Sequence, residues 1–340
     1  MRGLYITGIG WLKVAGLVLW VTLCLWTSYD SAATSVPDAM ESESEDLVEL
    51  GRRIFSDSTI SKKGIACSNC HQPANSLMDG LRVSFDGLRT GRRNTPSLLT
   101  VEAYSVFFWD GRATSLRSQV EGPVFSKAEL DLDTGAVVRY MDTASVVCNP
   151  WKGSSAWKTR ERSHALELFF ASLVAYVRTL GIRVDDAEQR NRRVNKDTRL
   201  SMGRTIFYGK GGCYGCHVGT WYTDNDFHNT GVYPQPTIIA SSYSRTGKMN
   251  RRLDYDNGRG DVVGGVQSLF SFRTPSLVRI AETAPYMHDG SMPSLRSVID
   301  FYNRGGDAIP PQKRSLSSAI RPLHLTEQEC LALLKFLNAL

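Results

Sequence analysis

Apolar residues fall into two patterns along this chain. Near the N-terminus an apolar run from Val14 to Trp26 follows the basic residues Arg2 and Lys13 and precedes the small residues Ser31, Ala32 and Ala33. That layout predicts a secretory signal over residues 1–33, cleaved after Ala33. If Lys13 were tolerated in the bilayer, residues 3–26 would instead serve as an uncleaved anchor, the one route by which this chain would touch a membrane. Further on, residues 164–180 and 326–339 carry apolar positions at helical spacing, and the second segment opens on Thr326 and Glu329, the spacing of a capping box.

These two helices close two similar halves. Residues 93–117 (RNTPSLLTVEAYSVFFWDGRATSLR) and 272–296 (FRTPSLVRIAETAPYMHDGSMPSLR) align without a gap. Upstream, Gly51-Arg-Arg-Ile-Phe55 echoes Gly203-Arg-Thr-Ile-Phe207. Internal repetition of this kind predicts a mostly α fold of two tandem, duplicated domains with long loops and little β structure. The expected boundaries are 34–183 and 200–340, joined by a polar linker at 184–199. A length of 340 residues suits that division.

The net charge of +6 is mild and dispersed, which argues against nucleic acid as a partner. The basic runs at 190–193 and 248–252 read as solvated faces, with a docking patch for an acidic partner as the alternative.

Chemistry enters with two copies of Cys-x-x-Cys-His: Cys67, Cys70 and His71, then Cys213, Cys216 and His217. In this motif the two thiols bond covalently to the haem vinyl groups and the His becomes the proximal iron ligand. Zinc hooks or redox disulfides use Cys-x-x-Cys too, but two copies each followed by His, behind an export signal, predict two covalently bound haem c groups. Export also predicts a periplasmic location. There Cys148 and Cys330, the cysteines left outside the signal and the haem motifs, would be free to pair.

The repeat sets the two haem pockets side by side. Trp109 of the first half stands where His288 stands in the second, and Pro123 stands where Tyr302 does. Pro has no donor atom for iron, whereas a phenolate has one. If these positions face the irons, the first haem has an open sixth site and the second is closed by His217 and Tyr302. Met287 is the competing ligand, since Met/His haems are common among cytochromes. Ordinary core packing is the alternative for both side chains.

With the stretches RNTPSLL, FFWDGRATSLRSQVEGPV, FHNTG, RTPSL and APYMHDGSMPSL in order, the chain resembles the bacterial di-haem cytochrome c peroxidase family. The likeness is more specifically to its methylamine-utilisation (MauG-like) branch and runs from about Leu47 to Leu340. The resemblance implies that His71 serves the peroxide-reacting haem and His217 the electron-transfer haem, with Trp109 conducting between them. It implies Glu129 as the distal acid, Gln119 beside it, and a calcium ion held by Asn94, Thr283 and the carbonyl of Pro285. Tyr302 matches the tyrosine-ligated variant of the second haem. Classical members of the family also carry a distal His between the first motif and RNTPSLL, whereas residues 72–93 here contain none.

The implied activity is peroxide-driven oxidation of a partner protein's side chain through high-valent haem. The alternatives are a peroxidase that reduces hydrogen peroxide with electrons from a small cytochrome or cupredoxin, and a non-catalytic electron carrier. One departure stands out: Gly211 occupies the place of the branch's surface Trp. Trp221 and Tyr222 are therefore candidates for the point where oxidising equivalents leave.

Overall fold

The computed structural model describes residues 45–85, 91–142, 161–234, 237–243, 249–310 and 312–340. The segment expected to be a signal, and Cys148, lie outside them.

In each half, a helix preceding the haem motif packs along the helix that closes the half. In the first, α1 (Glu45–Ser56) lies against the long helix α4 (Glu161–Leu180), with α2 (Leu116–Phe125) and α3 (Thr134–Asp142) completing the layer. In the second, α6 (Ser201–Tyr208) lies against α8 (Glu327–Ala339), with α7 (Leu295–Asn303) beside it. Segment 184–199, expected as a polar linker, is mostly helix α5 (Val184–Lys196), which buries Ala187 and Val194. Two apolar contacts in an otherwise charged sequence are what its composition conceals.

Each half has its own core. Ile54, Phe55, Phe169 and Phe170 are central to the first, and Phe207, Phe301, Leu333 and Phe336 to the second. Ile182 packs against both, and residues 45–340 form one compact unit. Strands are few: β1 (Phe227–His228) pairs antiparallel with β4 (Phe272–Arg273), and β2 (Thr237–Tyr243) with β3 (Met249–Asp254).

The sequence repeat is also a backbone repeat. Ser115 and Ser294 cap α2 and α7 by the same reciprocal bonds with Ser118 and Ser297. The bridge Phe107–Ala113 matches Tyr286–Met292. Between the bridged residues, Phe108 and Met287 take left-handed φ values of 63° and 73°, and Gly111 and Gly290 of 68° and 61°.

Contacts between the halves obey the symmetry that relates them. Asn94 N–H donates to the His288 carbonyl at 2.7 Å, and Arg273 N–H donates to the Trp109 carbonyl at 2.8 Å. Arg273 is the repeat counterpart of Asn94, and His288 of Trp109, so each half makes the same bond to the other. Arg93 adds a largely buried ion triad across the junction, reaching Asp110 at 2.6 Å and Asp256 at 2.7 Å.

Helix contact in both halves depends on a missing side chain. A Cβ on Gly51 would lie 1.8 Å from the Ser172 carbonyl oxygen, and one on Gly203 would lie 2.1 Å from that of Ala332. Those separations are far inside van der Waals contact. Gly203→Ala should therefore destabilise the protein by about 1–3 kcal/mol, the usual cost of overpacking a tight core. Denaturant unfolding of the holoprotein measures it, and an unchanged midpoint would show that α6 and α8 separate freely.

Candidate haem sites and the cavity between the halves

Both haem motifs are short helical turns, Cys67–Cys70 and Cys213–Gly215. In each, the His that follows is held by its Nδ1. That atom lies 2.9 Å from the Leu77 carbonyl oxygen for His71 and 2.9 Å from the Tyr222 carbonyl oxygen for His217. With Nδ1–H donating to a carbonyl, the Nε2 lone pair is left for iron, the usual second partner of a metal-binding imidazole.

Leu77 and Tyr222 adopt φ of 58° and 52° to present those carbonyls, a backbone region that residues with a Cβ seldom occupy. Burial outweighs the carbonyl bonds and lowers both imidazole pKa values, so the neutral, ligating form is favoured. Burial likewise pushes the Cys67 and Cys213 thiols up to about 12. A neutral sulfur, thiol or thioether, suits these places.

A cavity runs between the halves. It is lined by Asn94 and Trp109 from the first and by His217, Met287, His288 and Tyr302 from the second. Its empty volume, open mouth included, is about 1860 Å³, and its lining includes Cys213, Cys216 and His217, the attachment and ligand residues of the second motif.

Both sixth-ligand candidates reach this cavity, Tyr302 from α7 and Met287 from the loop before it. Burial, with Cys213 and Cys216 nearby, pushes the Tyr302 phenol above its ordinary range. It would become phenolate only against a strong positive charge. Asn94, Thr283 and Pro285 line the same cavity. The Asn94 amide donates to the Leu81 carbonyl at 2.9 Å and the Thr283 hydroxyl to that of Ile280 at 3.2 Å. The Trp109 indole N–H donates to the Asn94 carbonyl at 2.9 Å.

The remaining candidates sit on the first-half side. Gln119 and Pro123 lie four residues apart on α2, hence on one face. Glu129 is in the turn after that helix. Ser61 and Lys63, just upstream of Cys67, hold the turn through the carbonyls of Leu130 at 3.0 Å and Lys127 at 2.7 Å. Burial raises the Glu129 carboxyl despite the opposing charges of Arg112 and Lys63, and its charge is felt at Cys67.

Of the two aromatics expected as exits, Tyr222 is 2% exposed, whereas Trp221 is half-buried and packs against the second core. The exposed aromatics beside the second motif are Tyr208 and Tyr214, whose rings are 4.8 Å apart. Cys330 is buried in α8.

Sequence reasoning passed over two further groups. His228 Nε2 lies 2.8 Å from Asp224 Oδ2, with Cys216 alongside. The three make a plausible metal triad by distance alone, but Cys216 belongs to the haem motif. Cys216 and then Asp224 raise the His228 pKa to about 9 against the opposing effect of burial; with the sulfur a thioether, Asp224 is left to oppose burial. The stretch FHNTG was the available signal. Arg273 is the other group, visible only as the repeat partner of Asn94.

Two His-terminated cysteine loops, the second of them lining the inter-half cavity, define a two-haem c-type protein. A family model described as di-haem cytochrome c peroxidase matches residues 45–183. The cytochrome-c peroxidase IdrP2 of Denitromonas iodatirespirans is 30% identical, over 90% of this chain and 84% of its own. The methylamine utilization protein MauG of Methylorubrum extorquens is also 30% identical, over 86% and 77%. A solved structure described as a MauG-like protein associated with microbial copper homeostasis has a TM-score of 0.69 at 27% identity, covering 87% of this chain and 89% of that one. The chain belongs to the di-haem cytochrome c peroxidase family, and is an oxidoreductase enzyme with two haem c cofactors.

Proposed function

We propose that this protein uses hydrogen peroxide to oxidise a side chain of a partner protein; the haem held by Cys67, Cys70 and His71 would supply the peroxide chemistry, and that held by Cys213, Cys216 and His217 would store or pass oxidising equivalents. The observation that carries this reading is the asymmetry of one repeat position. In α2 it is Pro123, with no donor atom; in α7 it is Tyr302, facing the cavity that holds His217. Residues 72–93 also offer no His to close the first site.

Haem, when bound, supplies the redox chemistry at both centres. Glu129 holds and moves the proton, taking it from one oxygen of peroxide and giving it to the other; burial keeps its pKa raised toward the working range. Gln119 orients peroxide by hydrogen bonding. Trp109 lies between the halves as the relay, Asn94, Thr283 and Pro285 hold calcium through oxygen atoms, and the protein works in the periplasm.

A second reading, reduction of peroxide with electrons from a small cytochrome or cupredoxin, is favoured by Met287 in the same cavity. It requires Met287 rather than Tyr302 on the second iron.

Mixing the diferric protein with one equivalent of hydrogen peroxide separates the two. Rapid loss of both ferric EPR signals supports protein oxidation; inertness until one haem is reduced supports the second reading. Tyr302→Phe should alter the optical spectrum of one haem only, and no change in either would remove Tyr302 as a ligand. Glu129→Gln should slow the peroxide reaction by about 10²–10⁴-fold at unchanged haem content. Stopped-flow mixing measures this, and an unaltered rate would leave Glu129 without a role in proton transfer.

A further inference from the structure

The cavity is lined by a charged group whose pairing the fold leaves incomplete and which the proposed chemistry does not use. Arg273, in β4, is 5% exposed, and its Nη1 has no hydrogen-bond partner among the described residues. The rest of the side chain is held by the first half. Nε donates to the Phe108 carbonyl at 3.3 Å, and the guanidinium carbon sits 3.3 Å from the centre of the Tyr104 ring. The backbone N–H is the one that bonds Trp109. Burial alone would raise the Tyr104 phenol, yet the Arg273 charge, with bonds from Thr100 and Ser276, leaves it below its ordinary value.

A guanidinium taken out of water with one end unpaired is costly unless an anion meets it. Its planar fork of donors fits a carboxylate. Arg273 lines the cavity together with Cys213, Cys216 and His217, so the group that enters there is the second haem, which carries two propionates. We propose that Arg273 anchors a propionate of this haem and ties it to the first half of the chain. The repeat supplies a control: the counterpart in the first half is Asn94, a neutral amide engaged with the Leu81 carbonyl. The anchor therefore belongs to one haem only. Removing it leaves a propionate charge uncompensated near the second iron, which favours the ferric form.

The test is a spectroelectrochemical titration of holoprotein carrying Arg273→Met or Arg273→Lys, resolving the two haems. Arg273→Met should raise the ferric-to-ferrous ratio of the second haem about tenfold at a fixed ambient potential, a shift of about 59 mV for one electron. Arg273→Lys, which keeps the cation, should retain most of the wild-type value, and the first haem should not move in either variant. An unchanged second haem in Arg273→Met, or a shift confined to the first, would overturn the assignment. Should Arg273→Met fail to accumulate, the propionate bending mode in the resonance Raman spectrum of wild-type protein decides. A hydrogen-bonded propionate on the second haem upholds the anchor, and free propionates on it refute it.

Discussion

Two main-chain hydrogen bonds fix the geometry on which everything else depends. Asn94 donates to the His288 carbonyl and Arg273 to the Trp109 carbonyl. Because the residues are repeat counterparts, the pair imposes on one polypeptide the self-complementary contact that a two-fold axis imposes on a dimer. Buried backbone groups must find partners, and these find them only when the halves are correctly registered. Close approach follows from the registry. A Cβ on Gly290 would lie 1.9 Å from the Arg82 carbonyl oxygen, and one on Gly111 would lie 2.1 Å from the Phe227 ring. A common backbone frame thus brings Trp109, Asn94, Arg273 and His288 to a single cavity wall.

Within that frame the side chains diverge. Asp110 is neutralised by Arg93 and Arg112 at 2.6 and 2.9 Å, while among the described residues its counterpart Asp289 has only Arg82 at 3.8 Å and keeps one buried oxygen without a hydrogen bond. Trp109 spends its indole N–H on Asn94. His288 stacks on Phe272 at 3.5 Å between ring centres, and burial lowers its pKa to about 4, so it is neutral at ordinary pH. Equal backbones with unequal charges let two chemically identical haems sit in different fields. Local charge and burial are among the levers that set a haem's behaviour.

Much of this was legible in the sequence, and the reason is duplication. An ungapped repeat predicts equivalent backbone conformation, and the paired serine caps and paired left-handed residues bear it out. The haem motifs were legible because covalent attachment demands a fixed spacing, and helices α4 and α8 because their apolar periodicity is long. The linker was not: α5 has charged residues over most of its surface and buries only Ala187 and Val194, too few to make a period. Tyr222 was misplaced for a related reason. Tyr222 follows the motif closely in sequence, but its carbonyl must reach His217, and that turn carries its ring into the core. Sequence distance does not report which side of a left-handed residue faces solvent.

Arg273 was the least legible of all, because its significance is an absence of partners that only three dimensions reveal. In sequence it is one more basic residue in a mildly basic chain. In the fold its Nε and backbone N–H are satisfied by the first half, one terminal nitrogen is buried without a hydrogen bond, and the residue lines the cavity. The same logic applies to the histidine carbonyls. Holding Leu77 and Tyr222 in the left-handed region costs about 1–3 kcal/mol each, and a fold keeps such a cost only where the surrounding structure over-determines it. Here the return is an imidazole with its tautomer and ring plane already set. A haem attached through Cys67 and Cys70, or through Cys213 and Cys216, would meet a prepared ligand in either half, so a difference between the two centres has to come from other positions, such as the repeat position that is Pro123 in one half and Tyr302 in the other.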